Sequence, residues 1–177
     1  MRQARVFLVV LFALLLGGCS SVRIGQYAGT EPQLDLFEYF EGSTRAWGMF
    51  QGRDGSLKRR FVVDIRGVVE GDLLTLTEDF HYADGEKQQR VWRIRRLDAQ
   101  RYSGTAGDVI GEALGEASGS AFNWRYTLRL PYGEGTVDVR FDDWMFLQPD
   151  GVLLNRARVE KFGFTVGEVT LAFRKEG

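Results

Sequence analysis

From Arg45 to the C-terminus the chain alternates apolar and polar residues with a period of two. Phe61, Val63, Ile65 and Val69 share one face, while Lys58, Arg60, Asp64 and Arg66 share the other. The same alternation runs through Leu74, Leu76, Phe80 and Tyr82, and through Phe122, Trp124, Tyr126, Leu128 and Leu130. Val137, Val139, Phe141 and Met145 continue it, and Val169, Leu171 and Phe173 close it. Turn signals separate these runs at Asp54-Gly55, Gly71-Asp72, Asp84-Gly85, Gly133 to Gly135 and Pro149-Asp150-Gly151. Such alternation, punctuated by Asp-Gly turns, predicts antiparallel hairpins. About ten strands joined by short loops predict an all-β up-and-down barrel or a closed sandwich.

Two stretches depart from this pattern. Pro32 to Phe40 has helical spacing at Leu34, Phe37 and Phe40; Thr30 or Glu31 is positioned to cap it, Pro32 suits a first turn, and Gly42 ends it. This helix is expected to cover Trp144 and Phe146, which fall on the outer face of their strand; the alternative is an exposed apolar patch for a partner or a membrane. The second stretch carries Gly107, Gly111, Gly115 and Gly119 at intervals of four. Read as a strand, it puts Val109, Gly111, Ala113, Gly115 and Ala117 on one face with little side-chain volume. That face either lets another element approach closely, the expected case, or leaves space in the lumen.

The N-terminus is different in kind. Arg2 and Arg5 precede an apolar run from Val6 to Leu16, followed by Gly17-Gly18-Cys19-Ser20. An apolar run of about 11 residues is short for a membrane span, and with a charged start it reads as a signal peptide. The cut site resembles a bacterial lipobox. That resemblance implies cleavage before Cys19, diacylation of its thiol and, with Ser20 following, export to the periplasmic face of the outer membrane. The expected organisation is a signal peptide over 1–18, a lipidated tether over 19–29 and one β-barrel domain over 30–177.

Loss of residues 1–18 takes the formal charge from −1 to −3. A weakly acidic domain with interspersed charges has no electrostatic footprint for nucleic acid. The only cysteine is Cys19 and the only histidine is His81, so a zinc site lacks ligands. No glycine-rich stretch has the spacing of a phosphate loop. No metal and no cofactor is expected, and the sequence specifies no protein partner.

A short helix, a strand carrying Trp47 and a meander of about ten strands resemble the calycin group, which includes lipocalins and fatty-acid-binding proteins. The resemblance implies an up-and-down barrel in which Trp47 lies beneath Arg174 of the last strand. The chain reads Ala46-Trp47-Gly48 where those folds carry glycine-x-tryptophan. Ala46 to Gln51, Phe141 to Leu147 and Gly167 to Leu171 resemble an uncharacterised family of proteobacterial lipoproteins. That resemblance supplies no catalytic residue and only one residue of defined role, Cys19.

Candidate chemistry lies where polar residues interrupt apolar faces. Asp142 and Asp143 point to opposite sides of a strand, with Asp143 inward, so they do not form an acid pair. Thr77, Asp79 and His81 share a face opposite the core, which excludes a buried triad. Glu78 sits in the Leu76–Phe80 series, Asp143 in the Phe141–Met145 series and Asn155 between Leu153 and Ala157. Arg90 and Arg96 share a face with Trp92 and Ile94. Buried carboxylates need partners and arginine is the usual one, so a structural ion-pair network is the plain expectation. The functional expectation is that Glu78, Arg90, Arg96, Asp143 and Asn155 orient an amphipathic ligand whose apolar part meets Trp92, Trp124 and Tyr126. Arg90 or Arg96 would then pair with a carboxylate or phosphate on it.

The leading expectation is a membrane-anchored lipoprotein that binds or carries a hydrophobic ligand, a lipid or fatty acid, in its barrel. The alternatives are a docking protein of the cell envelope with a filled barrel, and an enzyme acting on membrane lipids through Glu78 or Asp143. The enzyme reading requires a carboxyl of raised pKa beside an open pocket.

Overall fold

Ten antiparallel strands follow one another around a closed barrel. They are β1 (Gly42–Gly52), β2 (Leu57–Glu70), β3 (Leu73–Tyr82), β4 (Lys87–Arg96), β5 (Arg101–Thr105), β6 (Ala113–Ser118), β7 (Ala121–Tyr132), β8 (Gly135–Leu147), β9 (Leu153–Lys161) and β10 (Phe164–Lys175). The structure, a computed structural model, describes residues 22–176. The signal peptide and Cys19 lie outside the described residues. Each strand pairs with its sequence neighbours, and β10 returns to β1 with Thr44 opposite Lys175 and Gly52 opposite Gly167. This is the up-and-down barrel that the period-two pattern predicts. The Asp-Gly turns form as expected: Asp54 and Asp84 each accept the backbone N–H two residues on, at 3.0 Å, while Gly55 and Gly85 take positive φ.

A helix closes one end of the barrel. α1 spans Leu36–Phe40 and is shorter than the expected Pro32–Phe40. Asp35 is its cap, accepting from the N–H groups of Phe37 at 2.8 Å and Glu38 at 3.1 Å. Thr30 is engaged elsewhere. Its hydroxyl donates to the Tyr27 carbonyl and lies 3.0 Å from that of Ser120, while the Leu34 N–H donates to the Gly119 carbonyl. These bonds tie residues 30–34 to the β6–β7 turn and delay the helix. α1 buries Leu36, Phe37, Tyr39 and Phe40. Phe40 meets Phe173 edge-on at 5.6 Å, and the Tyr39 hydroxyl donates to the Phe173 carbonyl at 3.0 Å. Gly67 makes this seating possible, since a Cβ there would stand 1.8 Å from the Phe40 carbonyl oxygen.

Three expectations are corrected. Trp144 and Phe146 are covered by Tyr27, with ring centroids 6.0 and 5.2 Å away, and not by α1. Tyr27 ends a 3-10 turn, Ile24–Tyr27, so the part of the tether described lies against the barrel wall. Trp47 points outward and is exposed, because inward positions of β1 fall on Thr44 and Ala46; it does not lie beneath Arg174. Thr44 and Ala46 are small and buried under the α1 end of the barrel, which leaves no space for an indole on that face. The glycine-rich stretch is a strand only over Ala113–Ser118, and Gly111 adopts φ +69° ahead of it.

Within β6, close approach is what Gly115 provides. A Cβ there would lie 2.4 Å from Trp124 and 2.6 Å from Phe122. The residues before β6 instead shape the wall. β4 pairs with β5 only over Arg93–Arg96. Beyond Thr105 the chain turns along β7: Val109 bridges Leu128, the Ile110 N–H donates to Thr127, and Asp108 accepts from the Arg129 N–H. This β5–β6 loop completes the wall toward the open end.

Candidate ligand-binding cavity

The inward faces of the strands enclose a cavity of about 780 Å³. Its floor is Leu36, Phe40 and Phe173, and its mouth, at the opposite end, carries Arg59, Tyr82, Tyr132 and Lys161. The hairpin tips at that end leave Tyr132, Phe162 and Phe164 exposed. Most of the lining is apolar and aromatic. Trp92 meets Trp124 at 5.6 Å and Tyr126 at 5.3 Å, both edge-on, and Tyr126 stacks on Phe141 at 5.1 Å.

Between floor and mouth the lining turns polar. Arg90 comes from β4 and Glu78 from the opposite register position of β3. Their closest atoms are 3.9 Å apart. Arg90 is held more firmly by Asp108 of the β5–β6 loop, donating from Nε at 3.0 Å and Nη2 at 2.8 Å. Asp143 of β8 is 5% exposed and Asn155 of β9 is 3% exposed. The Asn155 amide donates to Asp143 Oδ2 at 3.2 Å, and the Tyr126 hydroxyl donates to the same oxygen at 3.4 Å. Asp143 Oδ1 and Asn155 Oδ1 have no hydrogen-bond partner among the described residues.

Burial dominates the protonation of these acids. Desolvation pushes the Glu78 carboxyl up to about 7, with Arg90 opposing and Asp108 reinforcing the rise. Desolvation likewise pushes Asp143 up to about 7, against the hydrogen bonds from Asn155 and Tyr126. Tyr126 is held well above its ordinary value by burial and by the Asp143 charge. Arg90 stays charged, its own desolvation outweighed by Glu78 and Asp108.

Of the residues singled out in the sequence, Glu78, Arg90, Trp92, Trp124, Tyr126, Asp143 and Asn155 all line the cavity. Arg96 does not. It points to the closed end, pairs with Asp35 at 2.8 Å and lies over the Phe37 ring at 4.5 Å. Asp142 faces outward and accepts from the Asn123 amide. His81 and Asp79 are exposed, with His81 3.3 Å from Asp64. Asp108 is the residue that sequence reasoning missed. It lies in the glycine-rich stretch, and its one local signal is an acid among small residues, three positions after Thr105 ends β5.

A closed ten-strand antiparallel barrel with an internal cavity and an N-terminal helix at one end defines a calycin-like protein. Within that class the chain belongs to the family DUF3833, described as a protein of unknown function, whose pattern matches residues 13–175. The fold is similar to the solved structure of the S-type phycobiliprotein lyase CPES from Guillardia theta. The TM-score is 0.55 at 8% identity, over 80% of this chain and 90% of that one. Comparison with curated proteins gives no match.

Proposed function

We propose that this protein binds or carries a lipid-like hydrophobic molecule in its barrel while anchored to the membrane through Cys19. The cavity carries the proposal: about 780 Å³, mostly apolar, open at one end and supplied with a few convergent polar groups at depth. Desolvation of the ligand chain provides the affinity, at about 0.8 kcal/mol for each buried methylene. The lyase that shares the fold works on phycobiliproteins, which is in keeping with a ligand-handling barrel. The lipobox-like Leu16-Gly17-Gly18-Cys19 supports anchoring, at the periplasmic face of the outer membrane, with the turn Ile24–Tyr27 that lies against the barrel beginning five residues after Cys19.

The test is native mass spectrometry of the Cys19→Ser chain recovered from the periplasm, followed by titration with 1-dodecanol while tryptophan fluorescence is read. A bound lipid, or a saturable response from Trp92 and Trp124, is the expected result. An empty chain with no response would replace the carrier with a docking protein. Loss of lipid labelling in Cys19→Ser tests the anchor.

One observation favours a second reading. Glu78 and Asp143, both near neutral pKa beside an open cavity, have the protonation behaviour of general acids or bases. Conversion of a bound lipid that Asp143→Asn stops without releasing the lipid would make the protein an enzyme.

A further inference from the structure

We infer that the ligand carries a hydrogen-bond-donating, cationic head, a long-chain amine and not a fatty acid; this rests on the ligand-binding reading above. Asn155 Oδ1 is a buried acceptor, and Asp143 Oδ1 becomes one when its carboxyl gives up its proton. Asp143 Oδ1 and Asn155 Oδ1 line the cavity without partners, on side chains 5% and 3% exposed. The Asn155 amide is oriented by its donation to Asp143 Oδ2, so its carbonyl oxygen is the atom left over. With the two side chains turned toward the lumen, an ammonium donates to both oxygens; a carboxylate donates to neither.

The charges around this point run the same way. Arg90 is the one cation in the cluster, and it is spent on Asp108 through two prongs and on Glu78. Arg96, the other arginine expected to meet an acidic head, is committed to Asp35 at the closed end. Against Arg90 stand Glu78, Asp108 and Asp143, with Asp142 acting on Asp143 from the outer face. A ligand anion at this depth would meet surplus acid and no cation that is not already paired; Arg59 and Lys161 stand away from it, at the mouth. A ligand cation completes the site. The raised carboxyls release a proton as the ammonium arrives, so the buried site gains no net charge.

Three probes with the same chain separate the possibilities: dodecylamine, 1-dodecanol and laurate, each below its micelle concentration, measured calorimetrically on the Cys19→Ser chain at pH 7. Dodecylamine binds about tenfold or more tighter than laurate, with dodecanol between them. In buffers of different ionisation heat, amine binding releases protons and dodecanol binding does not. Asp143→Asn narrows the preference for amine over laurate to within about threefold. Laurate binding as tightly as the amine overturns the inference and leaves the ligand-binding reading standing, as does amine binding without proton release. Failure of all three probes, dodecanol included, is instead the failure of the ligand-binding reading itself. The proton count is read on the chain with native Asp143, so the result does not depend on the variant folding.

Discussion

Arg90 and Asp108 meet in a two-pronged ion pair across the stretch of wall that β5 does not reach, with Nε 3.0 Å and Nη2 2.8 Å from Asp108 Oδ2. The pair fastens the β5–β6 loop to β4 and fixes the guanidinium beside Glu78. Removing one partner strands a largely buried charge, the costly way to break such a pair. Asp108→Ala is therefore expected to lower unfolding stability by about 3 kcal/mol in denaturant titration. The double change Arg90→Met with Asp108→Leu should recover most of that loss.

Stability should fall as pH rises from about 4 to 7. Glu78 and Asp143 each keep a proton in the folded chain up to about 7 that the unfolded chain gives up near its ordinary carboxyl value. The folded state thus binds more protons over that interval, and each group's advantage is complete below the unfolded pKa and lost through the folded one. The loss is on the order of 3 kcal/mol per group. Thermal unfolding at a series of pH values checks this. Asp143→Asn and Glu78→Gln should each flatten the slope.

Gly115→Ala is expected to destabilise by about 2 kcal/mol, because the new methyl meets the Trp124 and Phe122 rings inside van der Waals distance. Trp124 has to move, so its fluorescence should shift with the stability. Gly67→Ala is the harsher case. Its methyl meets the Phe40 backbone carbonyl and not a side chain that can rotate away, so a loss of about 3 kcal/mol is expected. Amide exchange in α1 should then rise ahead of exchange in the barrel strands.

Arg96→Met separates the sequence expectation from the structure. A role on the ligand requires loss of ligand retention. The pairing with Asp35 and the contact with Phe37 instead require a weaker seal at the closed end. A stability loss of about 1 kcal/mol, discounted for partial exposure, with dodecanol affinity unchanged is the expected outcome.

The barrel was legible because period-two alternation reports directly on which side of a wall each residue faces. Asp143, Asn155 and Glu78 stood out as polar residues on apolar faces, and all three line the cavity. Asp142 and His81 were rightly assigned to the outside by the same parity. What parity does not carry is the identity of a distant neighbour. Trp47 carries a ring that suggests burial, yet its position in β1 is odd where Thr44 and Ala46 are even. Tyr27 covers Trp144 across more than a hundred residues of sequence, and only the folded path of the N-terminal turn brings them together. Asp108 belongs to no strand, so alternation says nothing of its direction. The helix start moved to Asp35 because Thr30 found Ser120, again a partner far along the chain.

The floor made by α1 has a kinetic consequence. Tyr39 and Phe40 fasten it to the end of β10, so the barrel is a vessel whose mouth serves both arrival and departure. A second molecule has no rear entrance from which to push out the first. On the ligand-binding proposal, exchange is then sequential, and the rate at which a bound molecule leaves does not depend on how much competitor waits outside.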